Sequence, residues 1–186
     1  FLSSILIFIP IAFYYLFANY FLSIVGMENP TGKMTIGQIS EVLFLLALPI
    51  FFKKFGFKKT ILVGMLAWAV RYVLFAYGNA GELSFMLIIG IALHGICYDF
   101  FFVSGQIYTN SKAGDKFKSA AQGLITLATY GIGMFIGSEV SGYVKDKYTA
   151  ADPSGAMVTT WLNVWLVPSA IAAAALVFLL VFFKDK

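Results

Sequence analysis

The apolar run TIGQISEVLFLLALPIFF (35–52), the basic link KKFGFKK (53–59) and the second run TILVGMLAWAVRYVLFAYG (60–78) decide how this chain folds. Each run approaches the roughly 20 apolar residues that a helix needs to cross a bilayer core of about 30 Å. Both are continuous, whereas barrel strands alternate over about 10 residues. Working outward gives six spans in all: 1–26, 35–53, 59–78, 83–109, 117–144 and 159–183. The whole chain reads as a single all-α integral membrane domain of 186 residues. Composition agrees, with 60% hydrophobic residues, 20 Phe and only 12% charged residues. Soluble domains carry about 25% charge, so a water-soluble globule, a nucleic-acid module and a disordered chain are excluded. The lone Cys97 excludes a disulfide framework and a cysteine-rich metal site.

The links between spans set the orientation. Glu28-Asn29-Pro30-Thr31-Gly32, Gly78-Asn79-Ala80-Gly81 and Asp152-Pro153-Ser154-Gly155 are turn chemistry. The other two links are basic. One side collects Lys53, Lys54, Lys58, Lys59, Lys112, Lys116, Lys118, Lys184 and Lys186, against Lys33, Lys145 and Lys147 on the other. The positive-inside rule makes the first side cytoplasmic, together with both ends of the chain. The chain opens at Phe1 within an apolar run, which is expected of a segment of a longer protein. Pro10, Pro49 and Pro168 fall inside spans and predict kinks. Gly133 with Gly137, and Ser138 with Gly142, form small-xxx-small pairs that suit close helix packing.

Ionisable residues within spans cost about 2.5–3.5 kcal/mol on insertion scales and mark function or pairing. Asp99 lies in LHGICYDFFF (93–102) with no cation near it in sequence. Its aromatic neighbours strip water from a carboxyl, which suits a group that exchanges a proton during transport. Gln38 and Glu41 project from one helix face and offer a ligand an amide and a carboxylate in the outer half of the core. Glu41 is equally placed to pair with Arg71, at similar depth on the next span. Arg71 reads as structural, its candidate partners being Glu41, Glu139 or a carbonyl. His94 and Tyr98 share a face and offer a hydrogen bond and a stacking surface to a flat ring. Glu139 sits near the outer interface, where water reaches it. Nucleophile elbows, metal-ligand spacings and phosphate loops are missing from the sequence, so enzymatic chemistry is not expected. Polar groups scattered at depth on different helices suit a central aqueous cavity instead.

Several stretches resemble the nucleoside:proton symporter family of the major facilitator superfamily. The link Lys54-Phe55-Gly56-Phe57-Lys58-Lys59 is similar to the cytoplasmic loop after the second helix of each half, with Pro49 in place of its first glycine and Lys53 in place of its acid. Gln38-Ile39-Ser40-Glu41 and Tyr98-Asp99-Phe100-Phe101 leading into Ser104-Gly105 resemble the family's signature segments. Ala67-Trp68 with Arg71, Phe75-Ala76-Tyr77-Gly78, Ala121-Gln122-Gly123 and Trp161…Val164-Trp165-Leu166 follow in the right order. The resemblance covers nearly the whole chain and implies the C-terminal six-helix half of a twelve-helix fold, built as two three-helix inverted repeats.

It further implies a proton-coupled nucleoside importer of the bacterial inner membrane, with the proton as coupling ion and no other cofactor. Its partners would be the bilayer and an N-terminal six-helix half. By position, Gln38 and Glu41 would bind the nucleoside, Tyr98 would face it, and Asp99 would carry the proton, with Glu41 as a second proton site. His94 stands where the family can have tyrosine. In the first span, Ala12 and Tyr15 are nearest to the Gln and Asn that line the family's site. Two other readings stay open: a symporter for a sugar or another polar metabolite, and a self-contained six-span channel or scaffold.

Overall fold

A computed structural model describes residues 1–183; Lys184 and Lys186, counted above on the basic side, lie outside the described residues. Among those residues, five helices are long and apolar enough to cross a membrane: Leu2–Ile24, Pro30–Tyr77, Ser84–Ala113, Asp115–Lys147 and Trp161–Phe182. The 48-residue helix would extend about 72 Å if straight, more than twice a bilayer core. It is broken at Gly56, where φ is +74° and ψ 172°, a conformation that only glycine adopts cheaply. The break gives α2 (30–55) and α3 (57–77). With α1 (Leu2–Ile24), α4 (Ser84–Ala113), α5 (Asp115–Lys147) and α6 (Trp161–Phe182), the described chain makes six passes.

Contacts fix the helix directions. Gly37 of α2 meets Ile91 and His94, Ser40 meets Gly95, and Phe44 meets Phe100, so α2 and α4 run parallel. Along α3 the order reverses. Gly64 meets Phe100, Trp68 Nε1 donates to the Cys97 carbonyl at 3.1 Å, and Phe75 meets Gly90. Helices α2 and α3 are therefore antiparallel, folded about Gly56. Gly133 packs on Ile5 and Phe8, and Gly137 on Ile9 and Ala12, making α1 and α5 parallel. The Tyr72 hydroxyl donates to the Pro10 carbonyl at 2.6 Å, and Phe75 lies near Phe21, which makes α1 parallel to α3. Ser169 Oγ donates to the Ala69 carbonyl at 2.9 Å, while Lys58 Nζ reaches the Leu180 carbonyl at 3.4 Å, so α6 opposes α3. Successive helices alternate, and the Gly56 turn shares a side with the 112–118 link.

The core is aromatic. Tyr72 and Trp165 stack with centroids 5.9 Å apart, and Phe75 and Phe21 each pack against Trp165. Leu43, Leu46 and Ile50 of α2 point outward, as expected of a surface that faces apolar surroundings. The turn at 152–155 joins two three-residue strands, β1 (Thr149–Ala151) and β2 (Met157–Thr159), which pair antiparallel. Asp152 Oδ1 caps that turn, accepting from the Ser154 amide at 2.8 Å and the Ser154 hydroxyl at 2.6 Å. These bonds hold the Asp152 carboxyl below its ordinary range.

Two helices depart from regular α geometry. α4 is interrupted at Leu93, and it then widens into a π-turn over Asp99–Val103. There the Ser104 amide and hydroxyl both donate to the Asp99 carbonyl. α5 widens likewise over Leu127–Gly133. Wide turns of this kind are frequent at functional sites.

The two small-residue pairs have different fates. Gly133 and Gly137 admit α1, whereas Gly142 has nothing within 4 Å of where a Cβ would sit. The tightest crossing joins α2 to α4, where a Cβ on Gly95 would meet the Ser40 backbone at 2.5 Å. Gly95→Ala is expected to cost about 1–3 kcal/mol of stability through overpacking, and Gly142→Ala to cost none. Thermal unfolding of the purified variants in detergent measures both.

Candidate functional site

The Ser40–Gly95 crossing sets one face of α2 against the middle of α4. Ser40 Oγ donates to the Ala92 carbonyl beside the interruption at Leu93, which fixes the register. Glu41 follows Ser40 and presents its carboxylate to His94, with Oε2 3.6 Å from Nε2. That spacing lies beyond a formed hydrogen bond but within ion-pair range. The Glu41 side chain is 34% exposed and that of His94 13%. Gln38, one turn earlier, is exposed at the rim.

The other imidazole nitrogen, His94 Nδ1, lies 3.1 Å from Arg71 Nη1. Arg71 is wholly buried. The direct ion pair expected between Arg71 and Glu41 does not form: the imidazole stands between them, because α2 and α3 both pack on α4. Glu139, the alternative partner, is exposed and forms no ion pair among the described residues. Arg71 lies over the Tyr14 ring at 3.5 Å from its centroid, with Trp68 and Phe75 nearby. Its Nε and Nη2 have no hydrogen-bond partner among the described residues.

An aromatic column continues from this point. Tyr14 stacks on His94 at 5.6 Å, His94 on Tyr98 at 5.9 Å, and Tyr98 packs against Phe102 at 5.2 Å.

Asp99 opens the π-turn and is wholly buried. Neither carboxyl oxygen has a hydrogen-bond partner among the described residues, and no cation pairs with it there. The cost of an orphaned buried carboxyl is relieved either by taking a proton or by rehydration. Just beyond Asp99, a cavity of about 370 Å³ runs between the ends of α1, α4 and α5. Phe102, Gln106, Thr109, Thr129 and Tyr130 line it, and Lys112 lies at its basic end.

The fold thus gathers Glu41, His94, Tyr98 and Arg71 into one cluster, with Asp99 beneath and Gln38 at the edge. Of the two first-helix positions, Ala12 is packed under Gly137, whereas Tyr15 is half exposed. Tyr14, the ring that packs on both Arg71 and His94, carried no signal that separated it from any other aromatic in an apolar run. Tyr130 was equally silent.

The family model described as "Nucleoside H+ symporter" matches residues 1–186. This chain belongs to that family. A putative nucleoside transporter of Escherichia coli (strain K12), YegT, is 43% identical over the whole of this chain and 44% of its own length. The nucleoside permease NupG of the same organism is 30% identical over 86% of this chain and 37% of its own. The chain therefore spans less than half the length of these relatives. A crystal structure of nucleoside transporter NupG superposes with a TM-score of 0.85 at 28% identity, covering 100% of this chain and 47% of that one. An aspartate-to-alanine variant of NupG gives 0.87 over 98% of this chain. The symporter family's fold is accordingly that of this chain: an all-α membrane protein with the architecture of half a major facilitator.

The contact of Arg71 with Tyr14 gives a test of the cluster. A desolvated cation over a ring is worth about 2 kcal/mol, so Tyr14→Leu should lower stability by at least that amount. Tyr14→Phe keeps the ring face and should cost less than half as much. Unfolding midpoints of the two variants in detergent provide the comparison.

Proposed function

We propose that this chain forms the C-terminal half of a proton-coupled importer of nucleosides that works by alternating access. The carrying observation is the buried, unpartnered Asp99 beneath the Glu41–His94–Tyr98 cluster, in a chain whose family is that of nucleoside H+ symporters. In this reading Gln38, Glu41, His94 and Tyr98 contact the nucleoside. The amide and carboxylate hydrogen-bond its polar edges, and the rings stack on its base. Asp99 carries the coupling proton, and Glu41 shares that role. A six-helix N-terminal half completes the cleft, since sites in such folds lie near the midplane between the halves.

The protein resides in the bacterial inner membrane, with the Lys53–Lys59 turn and the C-terminus on the cytoplasmic side. The cavity lined by Gln106, Thr109 and Thr129 lies toward that basic side and serves as the way out for substrate once the proton has left.

The test uses the full-length transporter in cells given labelled uridine, with and without a protonophore. Asp99→Asn should insert at normal levels and bring uridine only to equilibrium, while the parent accumulates it until the protonophore is added. Accumulation by the Asp99→Asn variant equal to that of the parent would overturn the assignment. Glu41→Gln removes a charged hydrogen-bond partner and should raise KM by about 10–100-fold; competition by unlabelled sugars should leave uptake unchanged.

A further inference from the structure

We infer that Arg71 is a positioning residue that acts through His94, holding the imidazole as the Nε2–H tautomer so that it donates toward Glu41 and leaves the second carboxylate oxygen for the substrate. The inference rests on the proposed role of Glu41 in binding, and it deepens that role.

Four observations carry it. Arg71 is completely buried, so it cannot touch a ligand in the cleft. Its one hydrogen bond among the described residues runs from Nη1 to His94 Nδ1, at 3.1 Å. A guanidinium can only donate, so Nδ1 must be the acceptor and the imidazole hydrogen must sit on Nε2. Nε2 is the nitrogen that faces Glu41 Oε2.

The ring also cannot turn freely. Tyr14 and Tyr98 both pack on it, with planes 27° and 26° from its own. Arg71 is itself held by the Tyr14 ring, whose centroid lies 3.5 Å from its guanidinium carbon. A permanent cation at depth is expensive, and here its direction is transmitted rather than exposed. The imidazole links the cation to the carboxylate, with Nδ1 toward Arg71 and Nε2 toward Glu41. Oε2 is then the oxygen that faces the imidazole, at 3.6 Å, and Oε1 is the acceptor that a hydroxyl or N–H of the substrate can use. A lysine at 71 would keep the charge but neither stack on Tyr14 nor present a planar donor to Nδ1.

The experiment reads both the tautomer and the binding in the full-length transporter. With 15N-labelled histidine, the His94 resonances are assigned by their loss in His94→Gln. The expected spectrum shows an unprotonated Nδ1 and a protonated Nε2, and Arg71→Lys should convert it to a mixture of tautomers. Calorimetric titration with uridine should show Arg71→Lys and His94→Leu each weakened about tenfold or more. His94→Gln can accept from Arg71 and donate to Glu41 through one amide, so it should bind at least about fivefold tighter than His94→Leu. The loss should appear in KM more than in the maximal uptake rate.

A protonated Nδ1 in the parent overturns the proposal, and so does parental uridine affinity in Arg71→Lys. Failure of the parent to bind any nucleoside would instead defeat the proposed function, while the tautomer measurement would still decide whether the relay exists.

Discussion

The close crossing of α2 over α4 is the constraint on which the site depends. At Gly95 the missing side chain lets the Ser40 backbone approach to a distance no Cβ could tolerate, and the Ser40 hydroxyl locks the register through the Ala92 carbonyl. Without that approach Glu41 would face a gap instead of an imidazole. With it, one short segment of each helix supplies the carboxylate, the imidazole and the buried acid. Helix association in lipid has no hydrophobic drive of its own and relies on such close packing and on interhelical hydrogen bonds. The geometry of the site and the stability of the bundle therefore come from the same contact.

The irregular turns follow from what the site needs. A regular helix through Asp99 would repeat every 3.6 residues and keep the phase set at His94 and Tyr98. The π-turn over Asp99–Val103 inserts extra backbone and rotates the residues that follow. Ser104 contributes two donors to the Asp99 carbonyl, which offsets the poorer backbone bonding. The result is a helix that keeps His94 beside Glu41 and Tyr98 against His94, while Phe101 and Phe102 line the cavity beyond. The matching wide turn in α5, at Leu127–Gly133, holds Tyr130 against Phe8.

Much of this was legible in the sequence because it is local. Apolar run length gives a membrane-spanning helical chain, the basic link at Lys53–Lys59 marks a turn, and the spacings of Gln38 with Glu41 and His94 with Tyr98 place each pair on one face. What stayed hidden is relational. Similar depth suggested that Arg71 pairs with Glu41, yet depth does not say which side chain stands between two helices. Neither Tyr14 nor Ser40 differs from its neighbours in sequence; each matters because of what another helix brings to it. The widening at Asp99 left no sign either, since Phe-Phe-Phe-Val is compatible with either turn.

Charge counting joins these elements to transport. The cluster holds one permanent cation, Arg71, and two acids, Glu41 and Asp99, with His94 neutral when its Nδ1 accepts from Arg71. Without an added proton the three charges sum to −1; with one proton on either acid they sum to zero. A buried group of charges crosses between wet and dry surroundings most cheaply when it is neutral. In the proposed cycle the halves can therefore close over the substrate with one proton aboard, and the closed state is penalised once that proton is lost. Without Arg71 the same two acids would need two protons for neutrality, so in the proposed cycle the buried cation belongs to the charge balance as well as to the orientation of the imidazole.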